Sequence, residues 1–293
     1  MKNLINDENK HIFYILASFF LIKILLFQFI PILNDEAYAL TISKHLSLSY
    51  FDHPPLTMWI LYFLSEHIGL ENPFLFRLPF IIFGTLTSYF LFLTGKLLYS
   101  KNVGILSAIL YFVSPFFFFS GGMLIVPDGP LNFFVVSSLY YIAKIIFYKK
   151  EGLLVEWLFI GIFIGLAFLS KYQAYFFGCS LIVYFFVWKR AILISNKFII
   201  SVFIASMGLL PVIIWNFHND FVSFLFHQER STFSIHPSHF FSLLFIQFFL
   251  ILPSTAIVIF LSFFENKKND LKEVRPFFYV LALPPIAFFN LIN

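Results

Sequence analysis

Residues 34–56 hold two acidic groups, Asp35-Glu36 and Asp52-His53, directly after the first hydrophobic segment of the chain. Carboxylates can accept protons or bind cations, so both groups are candidates for chemistry. Charge is scarce in this chain, since 60% of the 293 residues are hydrophobic and only 12% are charged. Acidic side chains at a membrane edge are costly, and their presence therefore indicates a functional site.

The composition indicates that a membrane protein positions these residues. The chain contains 47 Phe, and its apolar runs of about 18–25 residues are typical of transmembrane helices. The single Cys179 excludes a disulfide within the chain. The net charge of +4 is the loop charge of a membrane protein, and it argues against nucleic acid as a partner.

Apolar segments predict the transmembrane helices, with bounds near 12–33, 74–98, 103–120, 130–148, 154–170, 172–188, 198–216, 240–263 and 277–292. The first segment is longer than the roughly 7–15 residues of a signal-peptide core, so we expect a retained helix. The fifth and sixth segments are almost contiguous, as in a tight helical hairpin or a broken pair. The sequence predicts one all-α polytopic bundle of about nine transmembrane helices over residues 1–293.

Basic residues predict the orientation of this bundle. With the N-terminus in the cytoplasm, most Lys and Arg residues fall on the cytoplasmic side, as the positive-inside rule requires. The acidic groups, Asp128 and Lys171 then share the opposite face. Because nucleotide sugars are made in the cytoplasm, a reaction at the opposite face would use a lipid-carried substrate. A bacterial inner membrane is the expected location.

The first outer loop, residues 34–73, is expected to contain two surface helices. Asp52 would cap the second helix, with Pro54 and Pro55 in its first turn and Gly69 near its end. The apolar face of that helix would consist of Leu56, Trp59, Ile60, Phe63 and Leu64. Such helices lie in the membrane interface. The alternative is that both helices only seal the mouth of the bundle.

Four segments resemble, in the same order, the dolichyl-phosphate-mannose protein mannosyltransferases and their bacterial relatives, which include the aminoarabinose transferases that modify lipid A. The segments are NDEAYALTISKHLSLSYFDHPPLTMWI (34–60), VPDGPLNFFVVSSLYYIAK (126–144), GLAFLSKYQAYFFG (165–178) and PVIIWNFHNDFVSFLFHQER (211–230). The resemblance implies the C-type membrane fold of glycosyltransferase family 39. It also implies inverting sugar transfer from a polyprenyl-phosphate donor to a lipid or protein acceptor.

The resemblance assigns catalytic roles to the acidic residues. Asp35 would be the base that takes the proton of the acceptor as it attacks the anomeric carbon, and Glu36 belongs to the same pair. Asp128 would be a second acidic residue of the active site. The structural alternatives are that Asn34 or Asp35 caps a helix and that Pro-Asp-Gly-Pro is a simple turn.

A divalent metal ion is a further possibility at these residues. Asp35, Glu36, His53 and Asp128 offer mostly oxygen ligands, which suit magnesium, manganese or calcium. Members of the fold differ in metal dependence, so no metal is assigned.

Cationic and aromatic residues are the candidates for donor binding. Lys171 would neutralise the phosphate of the donor, and Arg230 could supply a second contact through its planar guanidinium group. Tyr172 would be a neighbour in the substrate site. His53 would contact substrate, bind metal or pair with Asp52. The alternatives are an ordinary interfacial lysine and a structural histidine.

The chain departs from the family in length, since members commonly have 11–13 spans and many carry a soluble domain. Two alternatives to an active enzyme therefore stay open. One is a shortened, non-catalytic member of the family. The other is a transporter or flippase, although such proteins place charge near the midplane and show repeated halves.

Overall fold

The computed structural model describes residues 7–148, 151–230, 237–250, 253 and 274–291, and these residues contain helices but no strands. The helices are α1 (Asp7–Leu26), α2 (Asn34–Ile42), α3 (Leu56–Glu66), α4 (Leu78–Leu98), α5 (Lys101–Val113), α6 (Pro115–Phe119), α7 (Asp128–Phe147), α8 (Leu154–Ser170), α9 (Ala174–Trp188), α10 (Arg190–Leu193), α11 (Asn196–Met207), α12 (Leu210–His218), α13 (Val222–Arg230), α14 (Pro237–Leu250) and α15 (Val274–Leu291). Short 3-10 turns follow α1 and precede α4. The predicted all-α class is confirmed for this part of the chain.

Four helical segments in the described ranges are long and apolar enough to cross a membrane. They are Lys10–Phe29, Leu75–Leu98, Asp128–Phe147 and Asn196–His218. Shorter apolar helices, including α5, α8 and α9, match further predicted segments. The total of nine spans stays a prediction, and the eighth candidate segment lies partly outside the described residues.

Two predicted segments are interrupted for identifiable local reasons. Residues 103–120 form α5 and α6 because Pro115 cannot continue a helix, and Ser114 before it is extended, with ψ of 123°. Lys171 is also extended, with φ of −158° and ψ of 144°, and it separates α8 from α9. The fifth and sixth predicted segments are therefore two distinct helices.

The second helix of the first outer loop differs from the prediction at its start. Helix α3 begins at Leu56, after both prolines, so Asp52 lies too far upstream to cap it. At its end, Gly69 takes φ of +70° while Leu70 N–H bonds to Leu64 O, which confirms the predicted glycine stop. The buried face centres on Leu61, whereas Phe63 is 55% exposed.

The chain divides into two compact units, and the first comprises residues up to 46 and residues 56–148. In this unit α4 packs against α1, α5 and α7. Gly95 of α4 meets Gly104 of α5 so closely that a side chain on either residue would clash. A buried cluster joins α2, α3 and the start of α4 to the chain before α7, and its members are Ala39, Leu61, Phe76, Phe80 and Ile125.

The second unit comprises residues 47–55 and the chain from residue 149. Helix α8 packs against α11, where Gly161 contacts Ser201 and Gly165 contacts Gly208 at the end of α11. Close approach of this kind through small residues is typical of membrane helices. The rings of Tyr184 and Phe277, 5.0 Å apart, join α9 to α15. The predicted single domain over residues 1–293 stays a prediction.

Candidate active site

Glu36 helps to cap the N-terminus of helix α2. The first N–H groups of a helix have no partner within the helix and need an acceptor. Glu36 Oε2 accepts a hydrogen bond from Leu33 N–H at 3.0 Å, in the way that acidic residues at the third position often do. Leu33 is the residue at the cap position, so neither Asn34 nor Asp35 occupies it.

Glu36 also forms the centre of a buried ion pair with Arg77, and both side chains are 0% exposed. Arg77 donates from Nε to Glu36 Oε1 at 2.8 Å and from Nη2 to Glu36 Oε2 at 2.5 Å. Ile125 N–H donates to Glu36 Oε1 at 3.0 Å. We call Glu36, Arg77 and the backbone groups that they bind the ion-pair cluster.

The remaining donors of Arg77 bind the chain that follows α1. Its Nη1 donates to Phe27 O at 2.6 Å and to Ile30 O at 2.8 Å, and its Nη2 donates to Pro31 O at 2.8 Å. A buried charge pair is tolerated only when its hydrogen-bonding capacity is met in this way. The ion-pair cluster therefore fixes the chain between α1 and α2 against the start of α4.

These contacts keep Glu36 ionised. Burial raises the pKa of Glu36, but hydrogen bonds from Arg77 and from the N–H groups of Leu33 and Ile125 outweigh that effect and lower the pKa below its ordinary value. A carboxylate that accepts four hydrogen bonds and has a low pKa is a poor proton acceptor. The geometry favours positioning over proton transfer as the role of Glu36.

Asp35 has the opposite environment from its neighbour. It lies in the first turn of α2, it is exposed, and within the part of the chain that the structure describes it has no hydrogen bond or ion pair. The helix dipole favours a negative charge at this end of α2. Of the two carboxylates, Asp35 is the one that a substrate could reach.

Asp128 is the first residue of α7 and is partly exposed. Asp128 belongs to the same unit as Asp35. Three residues before Asp128, the Ile125 N–H donates a hydrogen bond to Glu36. Pro-Asp-Gly-Pro begins a helix here, with Leu131 N–H bonded to Pro127 O, and does not form an isolated turn. The ion-pair cluster thus links the two acidic motifs of the first unit through Glu36.

A metal site made of several protein ligands receives no support from the described residues. No group of three or more His, Cys, Asp or Glu side chains among them is arranged to hold a metal ion. Glu36 has its oxygens occupied by Arg77 and backbone N–H groups.

In the second unit, helix α13 holds the segment that carries Asp52 and His53. His227 Nε2 lies 3.1 Å from Asp52 O, and the rings of Phe226 and Phe51 are 4.5 Å apart. Within the segment, His53 Nδ1 lies 3.0 Å from Asp52 Oδ2. The two side chains are at ion-pair distance, but the geometry is not that of a hydrogen bond, and the role of His53 stays a prediction.

Tyr172 joins the same group of residues from the turn between α8 and α9. Its hydroxyl lies 2.6 Å from Ser223 Oγ, and its ring meets the His227 ring edge-on at 4.7 Å. Burial raises the pKa of Tyr172, so the hydroxyl stays protonated near neutral pH. We call Tyr172, Ser223, His227 and Asp52 the tyrosine cluster.

The two cations predicted to bind the donor lie at the edges of this group. Lys171 is partly exposed and directly precedes Tyr172. Arg230 is the last residue of α13, and its side chain lies outside the described part of the structure. The roles of both residues stay predictions.

Sequence reasoning missed Arg77, although a signal was present. Arg77 lies at the outer end of an apolar span, where the predicted topology also places Asp35-Glu36. A charged residue at that position needs a partner, and an adjacent acidic motif is the natural candidate. Lys23, inside the first span, carried a similar signal.

Comparison with known proteins places the chain in a family. The profile described as dolichyl-phosphate-mannose-protein mannosyltransferase matches residues 52–215, which is more than half of the chain. Asp128, Lys171 and Tyr172 fall inside this match, whereas Asp35 and Glu36 precede it. The resemblance found in the sequence motifs is thereby confirmed.

A curated relative shares part of this sequence. The chain is 25% identical over 186 residues to the lipid A galacturonosyltransferase RgtD of Rhizobium johnstonii. The match covers 64% of this chain and 38% of that protein, so the chain spans well under half the length of this relative. No solved structure matches the chain.

Proposed function

Because the chain belongs to the dolichyl-phosphate-mannose-protein mannosyltransferase family, we propose that it is a membrane glycosyltransferase that takes a sugar from a polyprenyl-phosphate donor. Transfer would occur with inversion, on the non-cytoplasmic face of a bacterial inner membrane. The acceptor would be a lipid or another envelope glycan, and the alternative acceptor is protein. The name of RgtD as a lipid A galacturonosyltransferase supports the lipid acceptor.

The main structural support for this proposal is the difference in environment between the Asp35 and Glu36 side chains. Glu36 is buried and has its hydrogen bonds satisfied, while Asp35 is exposed at the start of the same helix. A carboxylate that is held on a fixed helix and remains accessible is suited to general base catalysis. Asp35 would therefore be the base.

The proposed reaction breaks one bond to the anomeric carbon and forms another. The acceptor oxygen attacks the anomeric carbon, and its proton passes to a carboxylate oxygen of Asp35. The bond between the anomeric carbon and the donor phosphate breaks at the same time, and polyprenyl phosphate leaves with the electron pair. Asp128, at the start of α7, would complete the acidic side of the site.

Lys171 would act on the leaving group. A fixed cation beside the phosphate stabilises the negative charge that is released as the bond to the sugar breaks. Lys171 has an extended backbone between α8 and α9, and its N–H bonds to Ala167 O at the end of α8. Arg230, Tyr172 and His53 would complete the donor site, with Tyr172 fixed by Ser223.

A transfer assay tests the proposal. Membranes containing the chain would be incubated with labelled polyprenyl-phosphate sugars or with nucleotide sugars, and with a panel of lipid and peptide acceptors. We expect label to move only from the polyprenyl-phosphate donors, with release of one polyprenyl phosphate for each sugar transferred. Transfer from nucleotide sugars alone, or no transfer by folded protein with any donor, would contradict the proposal.

A further inference from the structure

Lys23 is a buried cation within the first membrane-spanning segment. It is 2% exposed and lies in Lys10–Phe29. Its Nζ donates to Gly122 O at 2.8 Å and lies 5.1 Å from the ring centre of Phe118 and 5.7 Å from that of Phe112. Among the described residues no carboxylate pairs with it. A leucine at this position would be far less costly in a membrane helix, so the lysine indicates a role beyond filling space.

Gly122 belongs to the chain segment 120–127, which leads directly into Asp128. Three side chains from three different elements hold this segment through buried hydrogen bonds. Lys23 binds Gly122 O, Tyr111 binds Gly121 O at 2.7 Å, and Glu36 binds Ile125 N–H. Backbone bonds from the N–H groups of residues 121–124 tie the segment to α6, and the three side-chain bonds join it to α1, α2 and α5.

The fit around the two glycines is close. A side chain on Gly122 would collide with Lys23 Nζ and with the backbone of Gly84. A side chain on Gly121 would collide with Asn132 and with the Tyr111 hydroxyl. The backbone carbonyls of both glycines can therefore meet their donors only because neither residue carries a Cβ atom.

We propose that Lys23 is a positioning residue, whose bond to Gly122 O holds segment 120–127 so that it presents Asp128 in one fixed place. Glu36 holds the same segment from the side of α2, which carries Asp35. Lys23 and Glu36 would therefore act together to hold the two acidic motifs. The catalytic consequence of this proposal rests on the proposed function, whereas the structural consequence does not.

Hydrogen exchange tests the structural consequence without requiring turnover. The variant Lys23→Met removes the donor and the charge but keeps a side chain of similar length. We expect the amides of residues 120–126 to exchange roughly tenfold faster in this variant, since one bond to a charged donor is lost. Lys23→Gln keeps an N–H donor without the charge, so its exchange rate should lie between those of the parent chain and Lys23→Met.

Lys144→Met is the matched control. Lys144 also lies in a membrane-spanning helix against an aromatic ring, at 5.9 Å from the centre of Tyr140. It is on the same helix as Asp128 but about 24 Å away along the axis, at 1.5 Å per residue. This variant should leave exchange in residues 120–127 within about twofold of the parent chain, since changes at sites this far apart act independently.

The transfer assay adds a second measurement on the same variants. If Asp128 acts in the active site, Lys23→Met should lower kcat roughly tenfold or more while the KM for the donor stays unchanged. Equal exchange in Lys23→Met and Lys144→Met, or faster exchange spread evenly over all helices, would overturn the positioning role. If the parent chain has no transferase activity, the proposed function fails while the exchange result still decides the role of Lys23.

Discussion

The ion-pair cluster and the tyrosine cluster hold their parts of the chain by different physical means. In the ion-pair cluster, the fully buried charges of Glu36 and Arg77 bind each other and five backbone groups. In the tyrosine cluster, the side chains are neutral or partly exposed, and the contacts include a hydroxyl pair, a ring contact and one backbone carbonyl. A saturated buried charge serves as a rigid support, whereas a partly exposed group remains available to a ligand.

The same distinction applies to neighbouring residues within the first unit. Asp35 and Glu36 are adjacent in the sequence, and both are carboxylates in the first turn of α2. Their environments divide the work, because Glu36 anchors the helix and Asp35 remains accessible. In the proposed enzyme, Glu36 would support the helix and Asp35 would be the reactive group, so the two carboxylates would not be equivalent catalysts.

The largest effect on folding is expected from breaking the buried ion pair. Arg77→Met would leave the Glu36 carboxylate buried and without its main partner, which typically costs about 3–5 kcal/mol of unfolding free energy. Thermal or denaturant unfolding of the purified chain would measure the loss. Lys44→Met, an exposed lysine of the first outer loop, is the control and should change stability by less than about 0.5 kcal/mol. A loss of unfolding free energy below about 1 kcal/mol in Arg77→Met would show that the ion-pair cluster does not stabilise the fold substantially.

A smaller, pH-dependent effect should come from the same cluster. The folded protein holds the pKa of Glu36 below its ordinary value of 4.5. Ionised Glu36 therefore stabilises the fold above that pH, and the stabilisation is lost as the pH falls through the lowered pKa. Unfolding measured at decreasing pH should show this loss in the parent chain. Glu36→Gln should be less stable at neutral pH and should lose less of its stability on acidification, and equal acid sensitivity of the two proteins would contradict the account.

The smallest effect is expected in the tyrosine cluster. Tyr172→Phe removes the hydroxyl that meets Ser223, and Ser223→Ala removes its partner. Each change should cost about 1 kcal/mol of unfolding free energy, and the double variant should cost less than the sum of the two. Additive losses would show that the two hydroxyls are not coupled. A loss as large as that of Arg77→Met would remove the contrast between the two clusters.

Much of the helical architecture could be predicted from the sequence because it depends on local signals. The segment 154–170 matched α8 at both ends, and Gly69 marked the end of α3. The break at Pro115 was also a local signal, although the prediction passed over it. The predicted start of α3 was wrong because Asp52 and the two prolines lie in a bent, non-helical segment before the helix and not in its first turn.

The candidate site was harder to predict because its contacts join distant parts of the chain. Asp35, Glu36 and Asp128 were proposed from residue type and motif, with Asp35 as the base, but the anchoring role of Glu36 was not predicted. Arg77 lies 41 residues from Glu36, and Lys23 lies 99 residues from Gly122. The cost of a charge in an apolar span indicates that Arg77 and Lys23 need partners. No periodicity or spacing rule identifies the atoms they bind, which become visible only when the helices are packed.

Turnover of Asp35→Asn is the measurement that tests the central claim most directly. The parent chain, Asp35→Asn and the control Glu66→Gln, an exposed carboxylate at the end of α3, would be compared with a polyprenyl-phosphate sugar as donor. We expect Asp35→Asn to lose roughly 10²–10⁴-fold in kcat, as is typical when a general base is removed, with unfolding unchanged. Glu66→Gln should retain full activity. Transfer by Asp35→Asn at a rate near that of the parent chain would contradict the assignment of Asp35 as the base.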